Sequence, residues 1–252
     1  MSPSLQPDQP VTARPARPFS GLVTIFFSPA DTFDAAGPRP WLVPLVAAIL
    51  LSIVINVMTI NIMGMGTIVR NQIESNPKIA DQLGPEKINA MVQAAENSQG
   101  RKIITYLAGV IAIPLILAVI AGITYGALSA TGAITTFSAT FGASAWATYA
   151  VMVVTAIGSA IFLSLTKDFS GVDPRGMIML NAGAFLDKST TSPVVRALAG
   201  GIDLVQFWSM FLQIVGLKRL SQQVSTGQAV GVVVTLYLLF VACKAGWAAM
   251  FG

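Results

Sequence analysis

Five apolar segments, each long enough to cross a lipid bilayer, constrain this chain more than any other feature. A helix rises about 1.5 Å per residue, so it crosses the hydrocarbon core of a membrane, which is roughly 30 Å thick, in about 20 residues. In lipid every backbone donor and acceptor must be satisfied within the segment, which predicts helices. The five segments are 22 to 26 residues long and cover residues 41–63, 103–128, 141–165, 194–217 and 229–250.

The composition agrees with a chain whose main solvent is lipid. Hydrophobic residues make up 54% of its 252 residues and charged residues 10%, against a charged share of about 25% in soluble domains. We therefore expect an all-α fold, an integral membrane bundle of five transmembrane helices. The bundle would form one domain over residues 19–252, preceded by a proline-rich disordered tail over residues 1–18.

Residues 20–36 predict an amphipathic helix that lies at the membrane interface before the first span. Its apolar positions surround the sequence SPAD at residues 28–31, in which Pro29 suits the first turn of a helix. Aromatic side chains are typical of the boundary between lipid and water. The expected interfacial anchors are Phe26, Phe27, Phe33 and Trp41.

Two further helices are expected in the longer polar loops, over residues 77–99 and 173–187. Both are too short or too weakly apolar to span a bilayer. Gly84 should end one helix of the first loop, and Pro85 should begin the next. We expect these loop helices to lie on the headgroups or across the mouth of the bundle, where a partner protein would meet them.

Missing residue types exclude several classes of function. The chain has no histidine and one cysteine, Cys243, so a Ser-His-Asp triad, an imidazole metal site and an intrachain disulfide are excluded. It contains no glycine-rich phosphate loop, and its net charge of +4 is too small and too scattered to suggest nucleic acid binding. We predict no catalytic residue, no metal and no cofactor.

Polar side chains recur on one side of several predicted spans. Because unpaired polar groups are costly in lipid, these faces should point into the bundle. They could form a polar cavity or path, or they could join helices through side-chain hydrogen bonds, which average about 0.6 kcal/mol each. The residues are Arg196, Asp203, Gln206 and Gln213 in the fourth span and Asn56 in the first.

Asp203 and Lys244 are candidates for an ion pair inside the membrane. If the fourth and fifth spans form a hairpin, the two residues differ in depth by roughly 4–5 Å, which a lysine side chain can reach. The alternative is that Lys244 extends to the nearest headgroups while Asp203 caps a helix start. Neither arrangement makes the pair catalytic.

Small residues at four-residue spacing mark surfaces where helix backbones can approach closely. Such surfaces serve either packing within the chain or self-association into a homo-oligomer. They occur on the second and fifth spans, at Ala118, Gly122, Gly126, Ala242 and Gly246.

Several of these landmarks together resemble the Yip-domain family of multi-pass membrane proteins, whose eukaryotic members interact with Ypt/Rab GTPases. The entry segment reads FSPADTF at residues 27–33, and GAITTF precedes the third span at 132–137. The most specific stretch is IDLVQFW at 202–208, followed by VGL at 215–217 and TGQA at 226–229. The resemblance covers roughly residues 19–250 and suggests a bacterial-type member.

The resemblance implies a non-enzymatic membrane protein that acts as a scaffold or accessory subunit. Its partners would be the lipid bilayer and other membrane proteins, such as an ABC-type exporter, in the bacterial cytoplasmic membrane. The main alternative is a small transporter or channel that uses Asp203, Gln206 and Asn56. An intramembrane enzyme is the third option, but only carboxylates, lysine and hydroxyl groups are available to it.

Two arguments about orientation disagree. The family places the N-terminus in the cytoplasm, which puts the loops after the first and third spans outside. Nine lysines and arginines lie on that outer side and five on the other, whereas the positive-inside rule expects the excess in the cytoplasm. We expect the orientation that the family implies.

Overall fold

The computed structural model describes residues 19–75, 77–172, 180–187, 190–221 and 223–251. This part of the chain is helical apart from turns, irregular segments and two isolated β-bridges. The predicted tail 1–18 and residues 173–179 of the predicted helix 173–187 lie outside the described residues. The helices are α1 (Gly21–Thr24), α2 (Pro29–Asp34), α3 (Leu42–Met63), α4 (Met65–Glu74), α5 (Pro77–Asn97), α6 (Gln99–Ala130), α7 (Phe137–Leu165), α8 (Pro193–Ala199), α9 (Leu204–Leu220) and α10 (Thr226–Phe251), with a 3-10 helix at Ala182–Phe185.

Four helices of the described residues, α3, α6, α7 and α10, are long and apolar enough to cross a membrane. They correspond to the first, second, third and fifth predicted spans, and each end lies within four residues of its predicted place. The all-α membrane bundle is therefore confirmed. A serine caps the start of α6 and a threonine that of α7: Ser98 accepts from the Arg101 N–H and Thr136 from the Ala139 N–H.

The predicted count of five continuous spans is wrong. The segment 194–217 is divided into α8 and α9 by a break at residues 200–203, and α9, with 17 residues, is not among the four helices of the described residues that are long and apolar enough to cross a membrane. The cause is local: two consecutive glycines lower helix stability, and Asp203 begins a new helix as its N-cap.

Helix α7 is the centre of the bundle, where it contacts α3, α6 and α9. Its N-terminal half is rich in alanine, glycine and serine and is buried almost without interruption over residues 139–150. Such small side chains let neighbouring backbones approach closely. A Cβ atom added to Gly142 would lie 2.8 Å from Cγ of Pro40, and one added to Gly216 of α9 would lie 2.8 Å from Cβ of Ala143.

The N-terminal segment packs into this core, although we expected it to lie along the interface as one helix over 20–36. It forms the short helices α1 and α2, because Pro29 lacks the backbone donor that a continuous helix would require. Ile25 and Phe33 are 0% and 2% exposed and join the cluster around Trp146. The Tyr149 hydroxyl donates to the backbone carbonyl of Leu22 at 3.0 Å.

The two ends of the bundle differ. On the side that we call the entry side, α3, α7 and α10 begin and α6 and α9 end. On the opposite side, the platform side, α4 and α5 form a helical hairpin outside the spans. Helix α5 changes direction at Gly84, whose φ of 71° is in the left-handed region, and resumes at Pro85, as the sequence predicts.

Candidate functional site

The break between α8 and α9 gathers several of the predicted polar residues. The Asp203 carboxylate accepts hydrogen bonds from the backbone N–H groups of Val205 at 2.8 Å and Gln206 at 3.1 Å. These are two of the donors that every helix start leaves without a partner inside the helix. Because backbone donors at a helix start are otherwise unpaired, Asp203 stabilises the start of α9 at this place.

The short extended segment at residues 180–182 pairs with further backbone groups of the break. The Ala182 N–H donates to the Ile202 carbonyl at 2.9 Å, and the Leu204 N–H donates to the Leu180 carbonyl at 3.2 Å. Together these bonds form an antiparallel bridge between Asn181 and Asp203. These bonds give partners to backbone groups that an irregular segment would otherwise leave unpaired.

Helix α10 covers the break from a third direction. The Tyr237 hydroxyl donates to the Gly201 carbonyl. A Cβ atom added to Gly201 would lie 2.9 Å from a methyl group of Val241, while one added to Gly200 would lie 3.7 Å from Nζ of Lys244. Within the described residues, Asp203 and Lys244 form no ion pair: the carboxylate caps α9, and the ammonium lies beside the end of α8.

Arg196 lies on α8 at the edge of the same break. Its backbone carbonyl accepts from the Gly200 N–H at 2.8 Å, which closes the last turn of the helix. Its Nε atom is buried and has no hydrogen-bond partner in the described part of the chain. The Arg196 side chain therefore lies near the break, but its Nε atom forms no hydrogen bond to the break.

A pocket of about 350 Å³ lies beside the break, between α6, α9 and α10. Gln206 and Gln213, two of the predicted polar residues, contribute to its wall. The remainder is mostly apolar, with one hydroxyl each from Thr124 and Tyr237. The lining is completed by Ile120, Ile123, Met210, Val233, Leu236 and Phe240.

The other predicted residues are not part of this pocket. Asn56 lies half-buried on α3 and is not among the lining residues. A Cβ atom added to Gly122, Gly126 or Gly246 would meet no atom of the described chain within 4 Å. Ala242 is exposed as well, and only Ala118 packs against a core cluster. Most of the small-residue surface therefore faces outward from this single chain.

Neighbouring helices approach each other closely at glycines other than those predicted from four-residue spacing. Gly109 of α6 lies directly against Ser52 of α3, so that no room remains for a Cβ atom. Gly142 and Gly216 make comparable contacts in the centre of the bundle. The concentration of small residues at the start of α7 was the signal that could have identified that centre.

The predicted aromatic anchors have different environments. Phe33 is part of the core, edge-on to Trp146 with the ring centres 6.5 Å apart. Phe26 is half-buried against Tyr149, whereas Phe27 is 82% exposed. Trp41 is half-buried at the start of α3 and meets the ring of Phe141 edge-on. Phe27 thus retains the exposure that an interfacial anchor requires.

A second candidate site lies on the platform side and depends on Asn71, a residue that sequence analysis missed. Asn71 is 3% exposed, and its amide nitrogen donates to the carbonyls of Phe169 at 2.6 Å and Val172 at 2.9 Å. Its amide oxygen accepts from the Gly171 N–H at 3.2 Å. Nothing in the sequence distinguishes this asparagine from a solvent-facing one. It fixes α4 to the segment that follows α7.

The hairpin of α4 and α5 is closed by a charged group. The Glu96 carboxylate accepts from the Gly66 N–H at 2.6 Å, at the start of α4, and lies 3.7 Å from Lys102. An anionic group is favourable at a helix N-terminus, where backbone N–H groups are free. Arg70 adds a bond to Asn89 across the hairpin at 2.8 Å. These contacts hold α5 in a fixed position on α4.

The groups that these sites offer are hydrogen-bonding and apolar side chains. No group of three histidine, cysteine, aspartate or glutamate side chains within the described ranges could hold a metal ion. The carboxylate at the helix break is already engaged in capping two backbone donors. What the arrangement offers is an apolar pocket with two amides and a polar surface outside the spans.

Comparison with known proteins gives one family. The family model described as the Yip1 domain matches residues 23–247, nearly the whole chain. No curated protein and no solved structure matches this chain.

Proposed function

We propose that this chain, which belongs to the Yip1 domain family, is a non-enzymatic accessory or scaffold subunit that holds another membrane protein through its platform side. An ABC-type exporter is the class of partner that we favour. The bundle, with four helices able to cross a membrane, would fix the chain in the bilayer. The surface that supports the proposal is the α4–α5 hairpin.

The hairpin is suited to docking because it is rigid and outside the spans. The buried Asn71 amide donates two hydrogen bonds and accepts one, and these three bonds fix α4 to the segment 169–172. Ile88 and Ala95 bury the inner side of α5, at 8% and 0% exposure. A surface held in one conformation loses little conformational entropy when a partner binds.

The outer side of α5 is open to a partner. Lys87, Met91 and Ala94 are exposed and recur at helical spacing, so they lie along one stripe. Methionine is enriched at protein interfaces, in which a small apolar centre is surrounded by polar residues. We place the docking contact on this stripe.

Two matched variants, in each of which glutamate replaces an exposed alanine, test the platform. The tagged full chain is purified from its native membranes in mild detergent, and co-purifying proteins are identified by mass spectrometry. Ala94→Glu adds a charge to the stripe and should lower recovery of a stoichiometric partner several-fold, because an unpaired charge is costly in an interface. Ala130→Glu adds the same charge at an exposed position on the entry side and should leave recovery unchanged.

Other results would contradict the scaffold proposal. They are recovery of the chain without any partner, or equal recovery with the two variants. Specific solute flux through liposomes that contain only this chain would favour the transporter alternative. Against that alternative, Gln206 lines the pocket, whereas Asp203 caps α9 and Asn56 lies on α3, which is not the arrangement of one continuous path.

The proposal includes the bacterial cytoplasmic membrane, with the N-terminus in the cytoplasm and the platform outside. Gln93 is exposed on α5 and suits a single reporter cysteine once Cys243 has been replaced by serine. In the Gln93→Cys variant, a membrane-impermeant thiol reagent should label intact cells. Labelling that requires opened cells would reverse the orientation, in agreement with the positive-inside rule.

A further inference from the structure

The pocket between α6, α9 and α10 contains polar groups that have no partner. Neither Gln206 nor Gln213 makes a side-chain hydrogen bond with the part of the chain that the structure describes. A primary amide carries two donors and an acceptor with two lone pairs, and leaving them unpaired in an apolar environment is costly. The pocket therefore has unused hydrogen-bonding capacity.

The three helices give the same depth for this pocket. Lining residues lie between 6 and 14 residues from the entry-side ends of α6, α9 and α10, which at 1.5 Å per residue is roughly 9 to 21 Å. With the entry-side ends taken as the edge of the hydrocarbon core, which is about 30 Å thick, the pocket lies across the middle of that core. An occupant at this depth would enter from the bilayer.

The wall of the pocket carries no charge. Its polar members are Gln206, Gln213, Thr124 and Tyr237, and every other lining residue is apolar. The pocket is open at the side, and Ile123 and Phe240 in its wall are 54% and 61% exposed. In a bilayer, exposed apolar side chains at this depth face acyl chains, so a lipid can enter without passing through water.

We propose that the pocket binds a neutral lipid, namely a long apolar chain that carries an uncharged carbonyl or hydroxyl head, as in a diacylglycerol. A charged headgroup is costly at the bilayer centre and would find no counter-charge among the lining residues. The amides of Gln206 and Gln213 would donate to a carbonyl or accept from a hydroxyl. With about 350 Å³, near the lower end of the range for ligand pockets, the site takes the head and the first part of one chain. The remainder of the lipid stays in the bilayer.

The test uses the full chain in phosphatidylcholine nanodiscs with dioleoylglycerol as the probe and native mass spectrometry as the readout. The double variant Gln206→Leu/Gln213→Leu keeps similar side-chain size and removes both amides. It should weaken dioleoylglycerol binding about tenfold or more, equivalent to about 1.4 kcal/mol. Asn56→Leu removes an amide from α3, outside the pocket, and should bind as the unmodified chain does.

A second variant addresses the space rather than the hydrogen bonds. Ile123→Trp adds bulk to the wall of the pocket from α6, at a side chain that is 54% exposed, and should abolish saturable binding while the protein remains monodisperse. The proposal is overturned if the unmodified chain shows no saturable binding. It is equally overturned if the double variant binds as tightly as the unmodified chain, or if a second copy of the chain occupies the pocket. Docking through α5 is read out by co-purification and does not depend on this result.

Discussion

The two faces of α9 contrast a packed interface with an open one. Toward α7, Leu212 is fully buried, and Gly216 leaves the space that the side chains of Phe33 and Ala143 occupy. Toward α10, Gln206, Met210 and Gln213 line a pocket. Each set recurs at helical spacing, so one helix carries both roles. The difference teaches that, on this helix, a small residue marks the closed interface, whereas amide residues in an apolar wall mark the open one.

The largest effect is expected where the N-terminal segment enters the closed interface. Phe33→Ala removes a ring that is 2% exposed against Trp146. It should lower the free energy of unfolding by about 3 kcal/mol, because truncation of a buried aromatic leaves a cavity. Unfolding in mild detergent, followed by tryptophan fluorescence, measures the loss. Phe27→Ala, at a ring that is 82% exposed, is the control, with an expected change below about 0.5 kcal/mol. Equal losses would mean that the segment is not docked.

The second prediction compares glycines on the two types of surface. A Cβ atom added to Gly216 would lie 2.7 Å from Cζ of Phe33, so Gly216→Ala should cost about 1–3 kcal/mol of stability through overpacking. Gly246 on α10 has open space, and Gly246→Ala should stabilise its helix by about 0.5–1 kcal/mol. The same unfolding assay should therefore give changes of opposite sign. Destabilisation by Gly246→Ala would show that another helix, from a second copy or a partner, packs there.

The third prediction concerns the helix break. Asp203→Ala removes the cap of α9 and should cost about 1 kcal/mol, whereas Asp203→Asn keeps a side-chain acceptor and should cost almost nothing. Thermal unfolding in detergent distinguishes the two variants. An ion pair with Lys244 would make the Asn variant as costly as the Ala variant, and that result would restore the intramembrane pair expected from the sequence.

The smallest effect is expected at the entry-side end of α9. Arg219 and Asp34 form an ion pair at 3.3 Å in which both side chains are nearly half exposed. Exposed pairs contribute about 0.2–1 kcal/mol and weaken in salt. Arg219→Gln should therefore lower the free energy of unfolding slightly at low ionic strength and leave it unchanged near 1 M salt. A loss that persists in high salt would mean that the contact depends on packing rather than on charge.

Most of the spans could be predicted because hydrophobic length is a strong signal in a membrane chain. The fourth span could not, since averaging over about 20 residues hides two glycines and one aspartate. The local signal was present in the sequence GGID at 200–203, a flexible pair followed by a good N-cap. The residue types at the helix end therefore indicate the break in the fourth segment, which the mean hydropathy of the whole segment does not show.

The candidate sites were predictable only in part. The polar residues predicted within apolar segments include Gln206 and Gln213, which line the pocket. The position of the N-terminal segment could not be inferred, since an apolar segment with phenylalanines suits the headgroup region as well as a protein core. The role of Asn71 depends on residues about 100 positions later in the chain, and such contacts leave no local pattern.

The docking of the N-terminal segment sets an order for biogenesis. Asp34 of α2 meets Arg219 of α9, 185 residues later in the chain. At about 5–20 residues per second of synthesis, Asp34 is made roughly 10 to 40 s before Arg219, its partner on α9. Residues 19–34 are therefore made well before the helix that receives them. Insertion of α9 becomes the step after which this segment can dock against both α7 and α9.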